Sequence, residues 1–280
     1  IATVEAYDPV TNSWSPKPPT PTARYDAGVG AINGKLYVVG GCAGVCSTNT
    51  LARMDVYDPV ANTWTSRAPM PTARVGLGVG IIDGVLYAVG GQNGQQTIYT
   101  TLEAYNPVTD TWTTLAPMPA ARNSFAVGVV GGKLYVIGGA FNGTVEAYDP
   151  ATNTWAAKAP LPTATCCLAA GEVNGKLYAV GGYSQSGGVL ATVQAYDPAT
   201  ATWTAAPSMP TARNDLEVGV ISGTLYAVGG CSSCFPALGT LEAFTPGEVT
   251  WASSNTAVAT INASGLSTGA NPGASTITAT

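Results

Sequence analysis

A tryptophan and a glycine pair recur along this chain at one fixed spacing. The second glycine of Gly40-Gly41, Gly90-Gly91, Gly138-Gly139, Gly181-Gly182 and Gly229-Gly230 lies 27 residues after Trp14, Trp64, Trp112, Trp155 and Trp203 respectively. Trp251 continues the series, and successive tryptophans are 50, 48, 43, 48 and 48 residues apart. Such a chain has to build its core by stacking equivalent units of about 50 residues, because no single unit of that size buries its own faces.

One unit can be read from Asp55 to Gly91. Short apolar runs rich in Val, Ile, Tyr and Trp are cut by turn signals, which predicts four strands. Asp58-Pro59 ends the first run, since proline fixes φ and offers no ladder donor. Trp64 sits in the next strand, after a turn with Asn62. Ala68-Pro69-Met70-Pro71 is a loop. From Arg74 a glycine-rich strand is predicted to run to Asp83-Gly84, a strong hairpin signal, and Val85 to Val89 returns from it into the diglycine.

Four strands, a diglycine and a Tyr/Trp pair at this period resemble the kelch repeat, and the resemblance covers residues 1–251. It implies an all-β fold, a kelch-type β-propeller of four-stranded antiparallel blades. Composition agrees: 46% of residues are apolar and 10% charged, and the 34 glycines and 20 prolines fall at fixed repeat positions, as turns do. No apolar run reaches the length of a membrane span, so a soluble chain is expected. A net charge of −5 with no basic run argues against a nucleic-acid partner. Ile1 opens in mid-repeat, as a mature form or a fragment would.

The N-terminal residues 1–14 supply only an outer strand pair. Residues 249–280 depart from the kelch pattern and resemble the last half of a bacterial immunoglobulin-like domain of the second Big type, a module common on cell-surface proteins. Half a sandwich lacks the strands to close a core. One domain over residues 1–280 is therefore expected, with residues 252–280 completing the last blade. In that arrangement Thr256 to Thr268 and Ala274 to Thr280 are the inner strands of a sixth blade, joined at Asn271-Pro272-Gly273 and paired to the N-terminal half-blade. Six blades are favoured, with five and a dangling outer pair as the alternative.

Four arginines share one repeat position: Arg24, Arg74, Arg122 and Arg213. The resemblance places this residue at the start of the innermost strand, toward the channel mouth. One reading is an anion-facing set that holds an acidic sugar, glycan or peptide by bidentate hydrogen bonds. The architectural reading pairs them with the recurrent acids Glu5, Asp55, Glu103, Glu146 and Glu242. Two residues after the arginines stand Asp26, Gly76, Ser124 and Asp215, and Glu217 follows in the last copy; the fourth copy has Thr165 and Cys167 instead. On a regular strand Asp215 and Glu217 would share a face about 6.5–7 Å apart, a spacing open to acid/base work or to a solvated acidic patch. Tyr25, Asn123 and Asn214 would complete a polar ligand site. The loops after the diglycines, implied to open on the same face, carry Phe141, Tyr183 and Phe235, which suit stacking on a sugar or simple lids on the rim.

The six cysteines fall into Cys42/Cys46, Cys166/Cys167 and Cys231/Cys234. Short loop pairs read as local disulfides of an oxidising compartment, against a four-thiolate metal site from the first and third groups or free thiols. Cys166-Cys167 reads as two buried thiols or a vicinal disulfide. The chain has no histidine, which excludes Ser-His-Asp and Cys-His catalysis, histidine-held metals and the copper chemistry of galactose-oxidase-like kelch enzymes. The Glu-x3-Asp-x3-Asp run of iron-binding specifier proteins is missing too. No cofactor or metal is expected. Two functions stay open: a non-catalytic binding propeller, secreted or displayed by a bacterium, and a small-molecule enzyme of mutarotase, epimerase or hydrolase type using Asp26, Asp215 and Glu217 with the arginines.

Overall fold

The structure, a computed structural model, describes residues 2–232, 237–247, 251–253, 257–261 and 267–274, the last three segments by backbone alone. Every regular element among them is a β-strand, so no helix is present that could cross a membrane.

Five four-stranded antiparallel sheets form the blades of a β-propeller. In chain order the strands of the first are Gly28–Ile32, Lys35–Val39, Met54–Asp58 and Thr63–Arg67. The second has Gly78–Ile82, Val85–Val89, Leu102–Asn106 and Thr111–Leu115. The third has Ala126–Val130, Lys133–Ile137, Val145–Asp149 and Thr154–Lys158. The fourth has Ala169–Val173, Lys176–Val180, Val193–Asp197 and Thr202–Ala206. The fifth has Asn214–Ile221, Thr224–Cys231, Leu241–Phe244 and Trp251–Ser253.

The favoured count of six is corrected to five. Val4–Asp8 pairs only with Ser13–Lys17, and Ala257–Ile261 pairs with Ser267–Ala274, each as a two-stranded sheet. The two tail strands thus use their ladder on each other, and Asn271-Pro272-Gly273, read as a turn, lies inside a strand. The rest of the expected inner strands, residues 262–266 and 275–280, lies outside the described residues.

The chain divides into two compact units, residues 1–123 with 148–155 and residues 124–147 with 156–280. In the first unit Tyr37, Val39, Met54 and Val56 of the first blade pack on Leu86, Ala88 and Tyr105 of the second. Strands such as Val85–Val89 are buried on both faces, which is why they read as unbroken apolar runs. Full burial of a side chain like Leu86 or Tyr105 is worth about 1.5–3 kcal/mol relative to leaving it in water. Two tryptophans of this unit tie their outer strand to the loop leaving the preceding one: the indole N–H of Trp64 donates to Pro18 O and that of Trp112 to Ala68 O, both at 2.9 Å. The turn before the tryptophan is built by side chains. Asp58 accepts the N–H groups of Val60 and Ala61, and the Tyr57 hydroxyl donates to Asn62, whose φ of 55° an asparagine tolerates.

The second unit repeats this scheme, with Trp203 donating to Ala159 O at 2.8 Å and two cores built between successive blades. Its diglycines show why glycine is required. Gly181 has a φ of 62°, and a Cβ there would lie 2.5 Å from Arg213 O of the next blade, while the Gly182 N–H donates to that same carbonyl at 2.8 Å.

Gly181→Ala is expected to lose the roughly 1–2 kcal/mol that a left-handed backbone costs a non-glycine residue, plus the cost of moving the fifth blade off a backbone oxygen. Gly223→Ala, also at positive φ but in open space, should lose only the first part. Urea denaturation of both variants gives the difference, and equal losses would show that close approach is not what fixes the diglycine.

Candidate functional site

The arginine position is the first to assemble from the repeat. Arg24 and Arg74 in the first unit and Arg213 in the second start their blades, and all are buried, with 7%, 0% and 0% of their surface exposed. Each guanidinium donates to the first carbonyl of its own blade's diglycine, Gly40, Gly90 or Gly229, and to a second carbonyl from Arg53, Thr101 or Thr240. Each also forms an ion pair with the acid on the third strand: Arg24 with Asp55, Arg74 with Glu103 at 2.7 Å and Arg213 with Glu242 at 2.6 Å. Arg122 and Glu146 hold the same repeat positions and are likewise buried.

The guanidiniums of Arg24, Arg74 and Arg213 are engaged inside their blades in the manner of the architectural reading. The physical reason is the diglycine. Its positive φ values turn the carbonyls away from the ladder, and a long cation reaching back 16 residues satisfies them. Burial lowers the pKa of Arg24 and Arg74, while the paired Asp55 and Glu103 act to raise it. Burial alone would raise the Asp55 carboxyl, but hydrogen bonds from Arg53 and Ser66 and the charges of Arg24 and Arg53 hold it below its ordinary value. The Nε of all three arginines is buried without a hydrogen-bond partner, so their desolvation is only partly offset.

The first strands of four blades begin later than the sequence implies, at Gly28, Gly78, Ala126 and Ala169, whereas the fifth begins at Asn214. The residue two after each arginine, or after Thr165 in the fourth copy, adopts positive φ: Asp26 51°, Gly76 63°, Ser124 54°, Cys167 59° and Asp215 52°. This turn serves a purpose within each unit. The Gly76 N–H donates to Asp26 O in the first; Cys167 donates to Ser124 O and Asp215 to Cys167 O in the second. Successive blades are thereby linked at their innermost edge. Asp215 and Glu217 are both exposed and stand at alternate positions of the strand Asn214–Ile221, between buried Asn214 and Leu216.

The loop end and the arginine end coincide in four blades. The residue after the diglycine pairs with the residue after the arginine in Tyr25 with Cys42, Val75 with Gln92 and Asn214 with Cys231, and with the residue after Thr165 in Cys166 with Tyr183. In the first unit this end carries Tyr25, Asp26 and Asn123. The Tyr25 hydroxyl donates to Gly44 O at 2.7 Å, and the Asn123 amide to Gln92 at 3.4 Å. Cys42 and Cys46 are joined as a disulfide, which removes them from any four-thiolate site. Their loop lies so close to Gly94 that a Cβ there would meet Cys46 O at 1.6 Å.

In the second unit the same end gathers Phe141, Tyr183, Ser124, Cys167, Asn214 and Asp215. Phe141 and Tyr183 form an edge-to-face pair, centroids 6.1 Å apart at 74°, and remain 46% and 36% exposed. Phe141 and Ala140 have φ values of 55° and 48°, a conformation bulky side chains rarely hold without a functional reason. Tyr183 is carried on a small hairpin, Tyr183–Ser184 with Gly188–Val189, braced by the Gly187 N–H donating to the Ser184 hydroxyl at 2.9 Å. In the sequence only the Ser186-Gly187-Gly188 turn signals this arm. Burial, the neighbouring Cys166 thiol and the Asp215 carboxylate push the Cys167 thiol up, and the Asn214 amide donates to Asp215 at 3.1 Å. Cys234 and Phe235 lie outside the described residues.

Comparison with known proteins follows the repeat. The model of the KLHDC2/KLHL20/DRC7 Kelch-repeats domain matches residues 2–139, and the Kelch motif matches residues 121–162 and 164–210. The Bacterial Ig-like domain (group 2) matches residues 232–280, beginning inside the fifth blade. Among solved structures, that titled "Structure of YjhT" is similar over 89% of this chain and 88% of that one, with a TM-score of 0.73 and 18% identity, a likeness of fold.

Arg74→Ala leaves Glu103 buried without its cation and is expected to cost about 3–5 kcal/mol in chemical denaturation. Asp55 stabilises the fold while ionised, because its folded pKa is depressed. That contribution is complete above its unfolded pKa of about 3.9 and is lost as pH falls through the lower folded value. An Asp55→Asn chain should therefore show a flatter loss of stability below about pH 4 than the parent in acid titration followed by tryptophan fluorescence.

Proposed function

We propose, from the premise that this chain belongs to the kelch-repeat β-propeller family, that it is a non-catalytic binding module whose ligand-facing surface is the diglycine-loop end of its blades. Kelch propellers commonly mediate binding, and the fold does not by itself choose the ligand. The observation that carries the reading is Phe141: an exposed aromatic held at positive φ and set edge-to-face against exposed Tyr183.

A neutral glycan is the ligand class this chemistry supports. The apolar face of a sugar ring lies on an aromatic side chain, and its hydroxyls donate to carboxylate oxygens such as those of exposed Asp215. Tyr183 pairs through its backbone with Cys166, and the next residue, Cys167, lies against Asp215. An acidic ligand fits less well, because the arginines are engaged inside the blades and the exposed charges at this edge are carboxylates. Display outside a bacterial cell is supported by the match to the Ig-like module and by the Cys42–Cys46 disulfide.

A glycan array followed by calorimetry tests this. Phe141→Ala and Tyr183→Ala are each expected to weaken binding about tenfold or more, as exposed aromatic anchors do, with little change in melting temperature. Retained affinity in both variants would sink the reading, and a hit confined to acidic sugars would return attention to cations elsewhere on the chain.

A further inference from the structure

The fourth blade differs from its siblings in one chemical respect. Where the other copies place an arginine and then a small or acidic residue, this one carries Thr165-Cys166-Cys167. The two sulfurs lie 3.2 Å apart, both as thiols. We propose that Cys166 and Cys167 are a reversible oxidation site, a dithiol that closes to a vicinal disulfide by exchange with low-molecular-weight disulfides of the glutathione type. This does not depend on what ligand the chain binds.

Three observations carry it. The sulfurs need approach by only about 1.2 Å to reach a bonding distance near 2.05 Å. Their backbone is held in place: Cys166 exchanges two hydrogen bonds with Tyr183, at 3.0 and 2.8 Å, and Cys167 donates to Ser124 O at 2.8 Å while accepting from the Asp215 N–H at 2.9 Å. The positive φ of Cys167 is the conformation every copy of the repeat adopts at this position, so the fold itself supplies the geometry that presents both sulfurs on one side. Cys166 is buried and Cys167 half-buried at the loop end, which makes Cys167 the sulfur an incoming disulfide meets first.

The exchange balances without a further reactant. Cys167 loses its proton to solvent and its thiolate attacks one sulfur of the small disulfide. That S–S bond breaks, one small thiol leaves, and a mixed disulfide forms on Cys167. The Cys166 thiolate then attacks the Cys167 sulfur and expels the second small thiol. Two electrons pass from the protein dithiol to the small disulfide, which departs as two thiols.

Reversibility follows from chain geometry. Adjacent α-carbons are about 3.8 Å apart, below the roughly 4.4–6.8 Å over which disulfides are relaxed, so the closed pair is strained and readily reduced. Cys42 and Cys46, with α-carbons 5.2 Å apart, fall inside that range and form the permanent bond. Asp215 acts as a gate, since it lies against the Cys167 thiol and helps keep it protonated.

The test uses the full chain with Cys166 and Cys167 first reduced, then treated with oxidised glutathione, alkylated and peptide-mapped. The expected result is a peptide spanning both cysteines that is unalkylated and two hydrogens lighter than the dithiol. Mild dithiothreitol should then restore both thiols while Cys42–Cys46 stays closed. Both thiols still alkylating, or a lasting glutathione adduct on Cys167, overturns the proposal. Cys166→Ser should trap that adduct, since the resolving sulfur is gone; its absence overturns the order of attack. Asp215→Asn should speed alkylation of Cys167 about tenfold at neutral pH by releasing the thiolate, and an unchanged rate removes Asp215 as the gate.

Discussion

The buried guanidiniums of Arg24, Arg74 and Arg213, each beneath its own blade's diglycine, brace three blades of this protein from within. Two consecutive glycines at positive φ turn the chain so that the next blade's backbone can touch it, and they leave carbonyls pointing away from the ladder. An arginine from the start of the same blade fills that gap, and the third strand supplies its counter-ion. The arginine without Glu103 or Glu242 would be an unpaired buried charge. Cooperation of this kind explains why a chain with 10% charged residues spends arginines on its interior.

Once that brace is fixed, the rest of the repeat has a defined task. The tryptophan indole and the Asn or Asp turn before it tie each outer strand to its neighbour, and the left-handed residue after the arginine links innermost edges by backbone hydrogen bonds. Side chains at the loop end are then free of structural duty in most copies. Variation collects there: a disulfide loop in the first copy, an aromatic pair spanning the third and fourth, a dithiol in the fourth. A rigid repeat that leaves one edge unconstrained suits a binding surface, because residues at that edge change without disturbing the core.

The fourth copy shows the limits of that freedom. With Thr165 in place of arginine it keeps the same close approach, the Gly139 N–H donating to Thr165 O at 3.0 Å, so the backbone scheme survives loss of the cation. What changes is local chemistry. Cys167 takes up the left-handed position that Asp, Ser or Gly occupies elsewhere, and sits against the carboxylate of Asp215.

The four-stranded repeat, the diglycine turns and the Tyr–Trp pairing were legible in the sequence, because each depends on residue types at a fixed period and on local backbone limits. The Cys42–Cys46 bond was legible for the same reason, as a short loop between two cysteines. Direction and depth were not. Whether Arg74 faced a ligand or Glu103 was undecided by spacing, since both readings use the same residues, and only the buried ion pair decides it. The left-handed backbone at Asp215 was not legible either, since nothing in the side chain of an aspartate announces it. Five blades were found instead of six because strand pairing is a competition between partners distant in sequence, and among the described residues neither the N-terminal pair nor the tail pair takes a further strand. Sequence by itself determined the repeat, since period and turn chemistry are local; the tertiary structure alone decided what each charged side chain faces, because burial and long-range pairing are properties of the assembled blades.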